Sequence, residues 1–503
     1  MMTDLVLAAM ASLGRMFSAY ILSVFTALIL GSAMAKNRLV ESVLLPILDI
    51  LQSIPILGFF PAALLFFVTY LPARIGIELA SIFLIWTSLV WNMIFGVYSS
   101  VKSLDPSYED LARIYSFGHA ARFFFIYTPA SRSSLIANSL VSWAGGWFFL
   151  TSAEVVSLGN AEYKLTGLGS FIIESFNGGD FLGFYVGVSV LLAIITLTYF
   201  ILWNPAVSKN LGLKIPGFAE AYERIHELVG IIWRSLSEFL ISLEAKILPF
   251  GKVLKNAFKL ALLLVLLLIF LEAGFAIINV NIPNLIGRVL GTFVEVPLSL
   301  TRIAFIIVFS LALSLIVSYV SYRSLLAEKT LSIAGELLAS IPAIIWWPLL
   351  SNIALRYPFG ASLVSMIVFL QGSFWYLYFN ILVYGLTSIK KEFEELSSVY
   401  KIHGLNFFRY VFVPSVLPSV ATGALSAWGG AWNASVVAEY VQIEDRSIDL
   451  GGVGALLNRL TVKGDAEGLL VAALTLSLII VVINKTLWSR FFKYIEGKYG
   501  GEQ

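Results

Sequence analysis

Long apolar runs alternate with short polar ones along this chain. The runs lie near 17–35, 54–71, 76–98, 134–157 and 182–203, then 257–279, 300–320, 337–355, 361–386, 419–440 and 468–488. Each approaches the roughly 20 residues that a helix needs to cross a hydrocarbon core of about 30 Å. They predict about 11 membrane-spanning helices, of which the leucine-rich stretch Ala261–Leu271 is the clearest. The runs 54–71 and 337–355 carry prolines, which remove a backbone donor and interrupt a helix. Between 204 and 256 the pattern turns polar. There Phe218–Lys246 sets Glu220, Glu223, Arg224, Glu227, Arg234 and Glu238 among apolar residues at helical spacing. That spacing predicts an amphipathic helix at the membrane interface, although a plain linker helix has the same signature. Met1–Gly14 lacks a basic leading segment and no small-residue cleavage pattern follows, so a cleaved signal peptide is not expected.

The polar segments alternate in charge. One set, beginning with Lys36 and Arg38 and including 99–133, 204–256, 387–418 and the residues after 488, holds 22 basic side chains against about eight in the other. The positive-inside rule puts the first set in the cytoplasm, the N-terminus outside and the C-terminus inside. Composition agrees with a bilayer environment. Of 503 residues, 59% are hydrophobic and 13% charged, roughly half the ~25% charged share of a soluble domain. A net charge of +2 gives no footprint for nucleic acid. The chain has no cysteine, which excludes disulfides, cysteine-ligated metal and thiol catalysis. His119, His226 and His403 are too scattered for a metal site. No Gly-Lys-Ser/Thr phosphate loop, Leu-Ser-Gly-Gly signature or Gly-x-Ser-x-Gly elbow occurs, so no catalytic residue, cofactor or metal is assigned.

The two halves of the chain repeat each other. Trp143-Ala-Gly145-Gly146-Trp147 returns 285 residues on as Trp428-Gly429-Gly430-Ala-Trp432, and the same offset takes Pro129 to Pro414, Glu154 to Glu439, Gly169 to Gly454 and Asp180 to Asp465. Slightly different offsets take Gly118 to Gly404, Pro55 to Pro342 and Pro61 to Pro348. Six predicted spans separate the basic loop 99–133 from its copy 387–418. An even number leaves both loops on one side, so the repeat is parallel rather than inverted.

Each of these loops is a short polar helix, a glycine break, and an aromatic-basic segment ending at proline. The first runs from Asp105 through Gly118 to Pro129, with Tyr108, Glu109, Ala112, Arg113, Tyr115, Phe117, Gly118 and His119 as contact candidates. The second runs from Glu392 through Gly404 to Pro414, with Glu394, Glu395, Tyr400, Lys401, His403 and Gly404. Glycine allows a left-handed turn from which the next helix leaves at an angle. Tyr, Phe and Arg on an exposed knuckle suit a protein contact, and a loop packed on its own bundle fits equally well. In the span that follows, 100° per residue puts Trp143, Trp147 and Glu154 on one stripe, repeated by Trp428, Trp432 and Glu439. Gly145 and Gly146 lie off it and let a neighbouring backbone approach. One reading lines a translocation path with this stripe and with Ser142, Gly429, Gly430, Asn433 and Ser435, offering indole and hydroxyl donors to an oxyanion. The other is aromatic packing, with each Glu near the outer interface where solvation is cheap.

The loop spacing resembles the Glu-Ala-Ala coupling loop of ABC importer permeases. Ser142 through Glu154 with Leu165-Thr-Gly-Leu-Gly169, and Gly429 through Glu439 with Gly451-Gly-Val-Gly454, are similar to the duplicated, fused permease of the ABC anion-transport family, related to nitrate, sulfonate, taurine and bicarbonate permeases. The resemblance covers about 100–185 and 388–470. At the signature Glu-Ala-Ala stand Ala112-Arg113-Ile114 and Ser398-Val399-Tyr400, while the glycine spacing and flanking proline are kept. The resemblance implies an all-α polytopic membrane protein of two parallel type I permease bundles, 1–205 and 256–503, joined by a cytoplasmic linker at 206–255. It further implies an importer subunit in a cell membrane, with two ABC ATPase subunits that hydrolyse the ATP and an extracytoplasmic substrate-binding protein as partners. The solute would be a small inorganic or organic anion. The rival reading is a secondary transporter of duplicated bundles that needs no ATPase.

Overall fold

A computed structural model describes residues 2–53, 55–158, 161–203, 218–247, 282–386, 389, 391–443, 446–488 and 490–491. The expected span 257–279 lies outside the described residues. The first half comprises α1 (Met2–Lys36), α2 (Arg38–Ser53), α3 (Ile56–Tyr70), α4 (Ala73–Lys102), α5 (Pro106–Ile114), α6 (Thr128–Glu154), α7 (Leu168–Asn177) and α8 (Phe181–Thr198). A linker helix α9 (Phe218–Ile247) follows. The second half comprises α10 (Ile282–Arg323), α11 (Leu325–Ala339), α12 (Gly360–Asn380), α13 (Lys391–Val399), α14 (Val413–Ala438), α15 (Val453–Lys463) and α16 (Ala466–Ile483). Among the described residues, seven helices are long and apolar enough to cross a membrane.

The repeat extends to the element boundaries. Pro106–Ile114 matches Lys391–Val399, the π-helical turn Phe123–Tyr127 matches Phe408–Phe412, and Phe181–Thr198 matches Ala466–Ile483, each 285 residues apart. The proline-bearing run 54–71 folds as the unbroken α3, with Pro61 inside it, whereas 337–355 is broken. Pro55 separates α2 from α3, and after α11 the chain passes Pro342 into short turns at Ala343–Ile345, Trp346–Leu349 and Ser351–Arg356. The all-α pattern omits one feature: after α6 and after α14 the chain forms a two-stranded antiparallel hairpin. In the first, β1 (Val155–Leu158) pairs with β2 (Ala161–Lys164), and in the second, β3 (Tyr440–Ile443) pairs with β4 (Arg446–Asp449). In register, Val155 faces Lys164 and Tyr440 faces Asp449.

Within the first half α4 packs along α1 and α6, and within the second α12 packs along α10 and α14. The second spans cross over. α2 and α3 lie against α16, and α3 also meets α14, whereas α11 reaches back to α6 and α8. Each half therefore lends a proline-flanked segment to the seam. Trp143, Trp147, Trp347 and Trp432 are among the largest fully buried side chains, and one core cluster includes residues of both halves.

Candidate functional site

The two polar loops are built alike. Asp105 caps α5 by accepting from the Ser107 N–H at 2.8 Å, with Pro106 at the first helical position. These contacts with Ser107 hold the Asp105 carboxyl below its ordinary range. α5 closes in a Schellman turn, Phe117 N–H to Ala112 O at 2.8 Å and Ser116 N–H to Arg113 O at 3.0 Å. α13 closes the same way, Ile402 N–H to Ser397 O at 2.8 Å and Lys401 N–H to Ser398 O at 3.3 Å. The left-handed residues are thus Ser116 (φ 53°) and Lys401 (φ 52°). This corrects the expectation that Gly118 and Gly404 make that turn: Gly118 is extended, and Gly404, at φ 60°, begins the next segment.

The helices bury Ala112 and Ser397 and expose a row of apolar side chains. Tyr108, Leu111, Ile114 and Tyr115 on one, and Phe393, Leu396, Val399 and Tyr400 on the other, are between 44% and 74% exposed. The rows match position by position at the 285 offset. Phe117 packs between Tyr115 and Phe125 with tilted rings, and Arg113 pairs with Asp110 at the surface. Glu395, His119 and His403 are exposed.

Two carboxylates tie the loops to the bundles. Glu109 meets Lys36 at the end of α1 at 2.9 Å, the Tyr127 hydroxyl at 2.9 Å and Arg122 at 3.4 Å. Partial burial pushes the Glu109 carboxyl up, but the Lys36 and Tyr127 hydrogen bonds and the nearby cations outweigh it, leaving it below its ordinary range. Its repeat Glu394 accepts from Tyr322 near the end of α10. The first loop has a further brace. Glu244 of α9 accepts from the His119 and Ala120 N–H groups at 2.7 and 2.8 Å. A Cβ on Gly118 would lie 2.6 Å from that carboxylate, so a larger side chain there would displace it. α9 also packs Trp233 on Phe25 and Phe124, and His226 meets Arg132 at 2.8 Å.

At the seam lies a cavity of about 90 Å³, lined from the first half by Gln52, Ile56, Ser88, Trp91, Asn92 and Phe149, and from the second by Tyr376, Ser426, Trp428, Gly429, Gly430, Asn433 and Asn484 among others. None of its lining residues is charged. A smaller cavity of about 30 Å³, lined by Val141, Ala144, Gly145, Phe148, Ala339, Gln371 and Gly372, shares Phe149, Tyr376 and Gly430 with it. The Asn433 amide oxygen accepts from the Ile56 N–H across the seam, capping α3 from the other half. Gly430 lets α12 approach at Gly372. Of the proposed path residues, Gly145, Trp428, Gly429, Gly430 and Asn433 line these cavities. Trp143 packs instead against Phe17, Tyr20 and Trp203, and Trp147 meets Trp143 edge-to-face. Gly146 faces Met16, while Ser142, Trp432 and Ser435 are buried away from both cavities.

Residues 23–203 and 320–487 each match the model of the binding-protein-dependent transport system inner membrane component. The chain belongs to this family. It is a duplicated permease, a multi-pass membrane protein and not itself an enzyme. It is 25% identical over 185 residues to a nitrate import permease of Leptolyngbya laminosa, covering 37% of this chain and 60% of the relative. It is 24% identical over 167 residues to a bicarbonate transport system permease of Synechocystis, covering 33% and 55%. The match thus spans little more than half the length of these curated relatives.

In this permease the stripe glutamates are not solvated, contrary to one of the sequence readings. Glu154 and Glu439 are 1% and 0% exposed. Glu154 accepts from Ser12 at 2.5 Å, Arg15 at 2.8 Å and the Gly169 N–H at 2.7 Å. Glu439 accepts from Ser299 at 2.8 Å, Arg302 at 2.9 Å and the Gly454 N–H at 2.8 Å. Ser12 and Ser299 also accept from the Leu168 and Val453 N–H groups. The motif glycines now have a physical reason. At Gly167 and Gly452 a Cβ would collide with the carboxylate, and two residues on a backbone N–H donates to it. Sequence reading missed Ser12, Arg15 and Glu244. Ser12 and Arg15 recur as Ser299 and Arg302 at an offset of 287, a signal that a search held to 285 passes over.

Proposed function

We propose that this permease is the membrane-spanning subunit of an ATP-driven, binding-protein-dependent importer of a small inorganic anion. The observation that carries this reading is the matched pair of exposed apolar rows on α5 and α13, each anchored by a glutamate to the end of a long helix, α1 and α10 respectively. Two such faces suit two ATPase subunits, one per loop, on the cytoplasmic side. The chain would be two fused units, 1–205 and 256–503, joined through 206–255, with its N-terminus outside and its C-terminus inside. A separate binding protein would deliver the solute to the outer face.

The seam cavity supports the solute class. At about 90 Å³ it is far below the roughly 300–1,000 Å³ of drug-sized ligand sites. Its serine, asparagine and indole groups can donate to an oxyanion without the tight hold of a fixed cation, so the solute can leave. The named substrates of the relatives, nitrate and bicarbonate, are ions of that kind. ATP-driven closure of the ATPase pair would draw the two loops together and tilt the halves about the seam. For turnover to bias transport, the ATPase must bind the two permease states with different affinity.

The test is affinity purification of the full chain from its own membranes, with quantification of ATPase chains per permease. Two are expected. Leu111→Glu with Leu396→Glu should abolish ATPase retention while the permease stays inserted. Full retention in that double variant, or solute exchange by the purified permease alone in liposomes, would refute the reading.

A further inference from the structure

Three glutamates of the described residues are 1% exposed or less, and they divide sharply. Glu154 and Glu439 each have an arginine, a serine hydroxyl and a peptide N–H. Glu336, on α11, has none: neither carboxyl oxygen finds a hydrogen-bond partner among the described residues. α11 is the helix that crosses the seam, packing on α6 and α8 of the first half as well as on α10 and α12 of its own. Ala339, one turn beyond Glu336, lines the smaller seam cavity, and the Ser340 hydroxyl is also buried without a partner.

Among the described residues the surroundings supply no counter-charge. Phenols lie close by: Tyr199, following α8, interacts electrostatically with Glu336, and the Tyr378 ring of α12 lies against the adjacent Gly335. On α6, Arg132 and Glu154 are engaged by His226 and Arg15. On α10, Tyr319 and Tyr322 are engaged at the second loop, and Arg302 is taken by Glu439. On α11 itself, Glu328 and Lys329 lie about two turns away. A bare carboxylate here would pay the full desolvation of a charge, whereas a protonated carboxyl pays only that of a neutral polar group.

We propose that Glu336 is a proton-binding site at the seam, protonated while the two halves are closed on one another and releasing its proton to water when the seam opens. Proton binding therefore stabilises the closed arrangement, and alkaline conditions favour the open one. The first half carries an acidic residue, Asp49, at the same 287-residue offset that relates Arg15 to Arg302. Neither the ATPase nor the identity of the solute enters this inference.

The experiment uses the purified full chain in lipid nanodiscs, with Glu336→Gln as the neutral isostere. Folded chain that retains a proton lost on unfolding becomes less stable as pH rises above the ordinary glutamate value of about 4.3, until the carboxyl ionises in place. The wild-type unfolding midpoint should therefore fall with pH across that window relative to Glu336→Gln, whose profile lacks this component. A second readout uses dicyclohexylcarbodiimide, whose N=C bond adds the O–H of a protonated carboxyl and rearranges to an N-acylurea with no leaving group. Peptide mass spectrometry should find the adduct on Glu336 at neutral pH, declining at alkaline pH, with Glu154 and Glu439 unlabelled. Superimposable midpoint profiles for wild type and Glu336→Gln would overturn the proposal. So would labelling of Glu336 no greater than that of the two paired glutamates.

Discussion

Replacing Arg15 by Met leaves Glu154 buried at 1% exposure with only Ser12 and the Gly169 N–H as partners. Removing one partner of a buried ion pair costs about 3–5 kcal/mol, because the other charge stays buried. The Arg15–Glu78 pair adds only ~0–1 kcal/mol, since the Glu78 side chain is 42% exposed. Arg302→Met should cost more, because Arg302 also donates to the Gly451 and Leu450 carbonyls at 2.8 and 2.6 Å. Hydrogen bonds involving a charged group contribute ~1.5–3 kcal/mol each. Adding Glu154→Gln to Arg15→Met removes the orphaned charge while keeping an acceptor for the Gly169 N–H, so the double variant should be the more stable of the two. The assay is denaturant unfolding of detergent-solubilised permease, followed by tryptophan fluorescence, across the double-mutant cycle. A double variant less stable than Arg15→Met, or Arg15→Met indistinguishable from wild type, would refute the assignment of Arg15 as counter-charge.

Other consequences are equally direct. Gly118→Leu must evict Glu244 and should lower solute uptake while ATP hydrolysis by the assembled complex continues; unchanged uptake in this variant and in Gly404→Val would refute the coupling assignment. Asn433→Leu strips the Ile56 N–H of its partner across the seam, at about 1–3 kcal/mol for a buried unsatisfied donor, and should loosen α3 in hydrogen exchange; unaltered protection at Ile56 would count against the contact. Because the Glu109 carboxyl is held low, its contribution to stability is complete above its ordinary value of about 4.3 and is lost as pH falls through the lowered one. Glu109→Gln should therefore remove part of the acid-side loss in unfolding midpoint, and an unchanged acid limb would contradict the Lys36–Glu109 anchor.

Much of this architecture was legible from periodicity and repetition. The offset joining Trp143 to Trp428 also joins the bounds of α5 to α13 and of α8 to α16, because one sequence pattern folded twice. The hairpins were hidden: Val155–Leu158 continues the apolar run of α6, and a four-residue strand shows too little alternation to be told from a helix end. Arg15 was hidden for a related reason. A charge within an apolar stretch reads as the edge of a span unless its partner is known, and Glu154 lies 139 residues away. The loop turns were misplaced onto glycine because Ser116 and Lys401 adopt positive φ, which sequence reasoning reserves for glycine. The tryptophan stripe shows that periodicity identifies a face without identifying its neighbour, since Trp143 faces Trp203 whereas Gly145 faces the seam.

The most direct test of the central claim uses the absence of cysteine in the chain. Tyr115→Cys and Tyr400→Cys, made singly, place one thiol on each exposed loop tip. A membrane-impermeant maleimide should label both from the cytoplasmic face alone, and bound ATPase should protect both. Labelling of the two positions from opposite faces of the membrane would contradict the parallel repeat and the docking it supports.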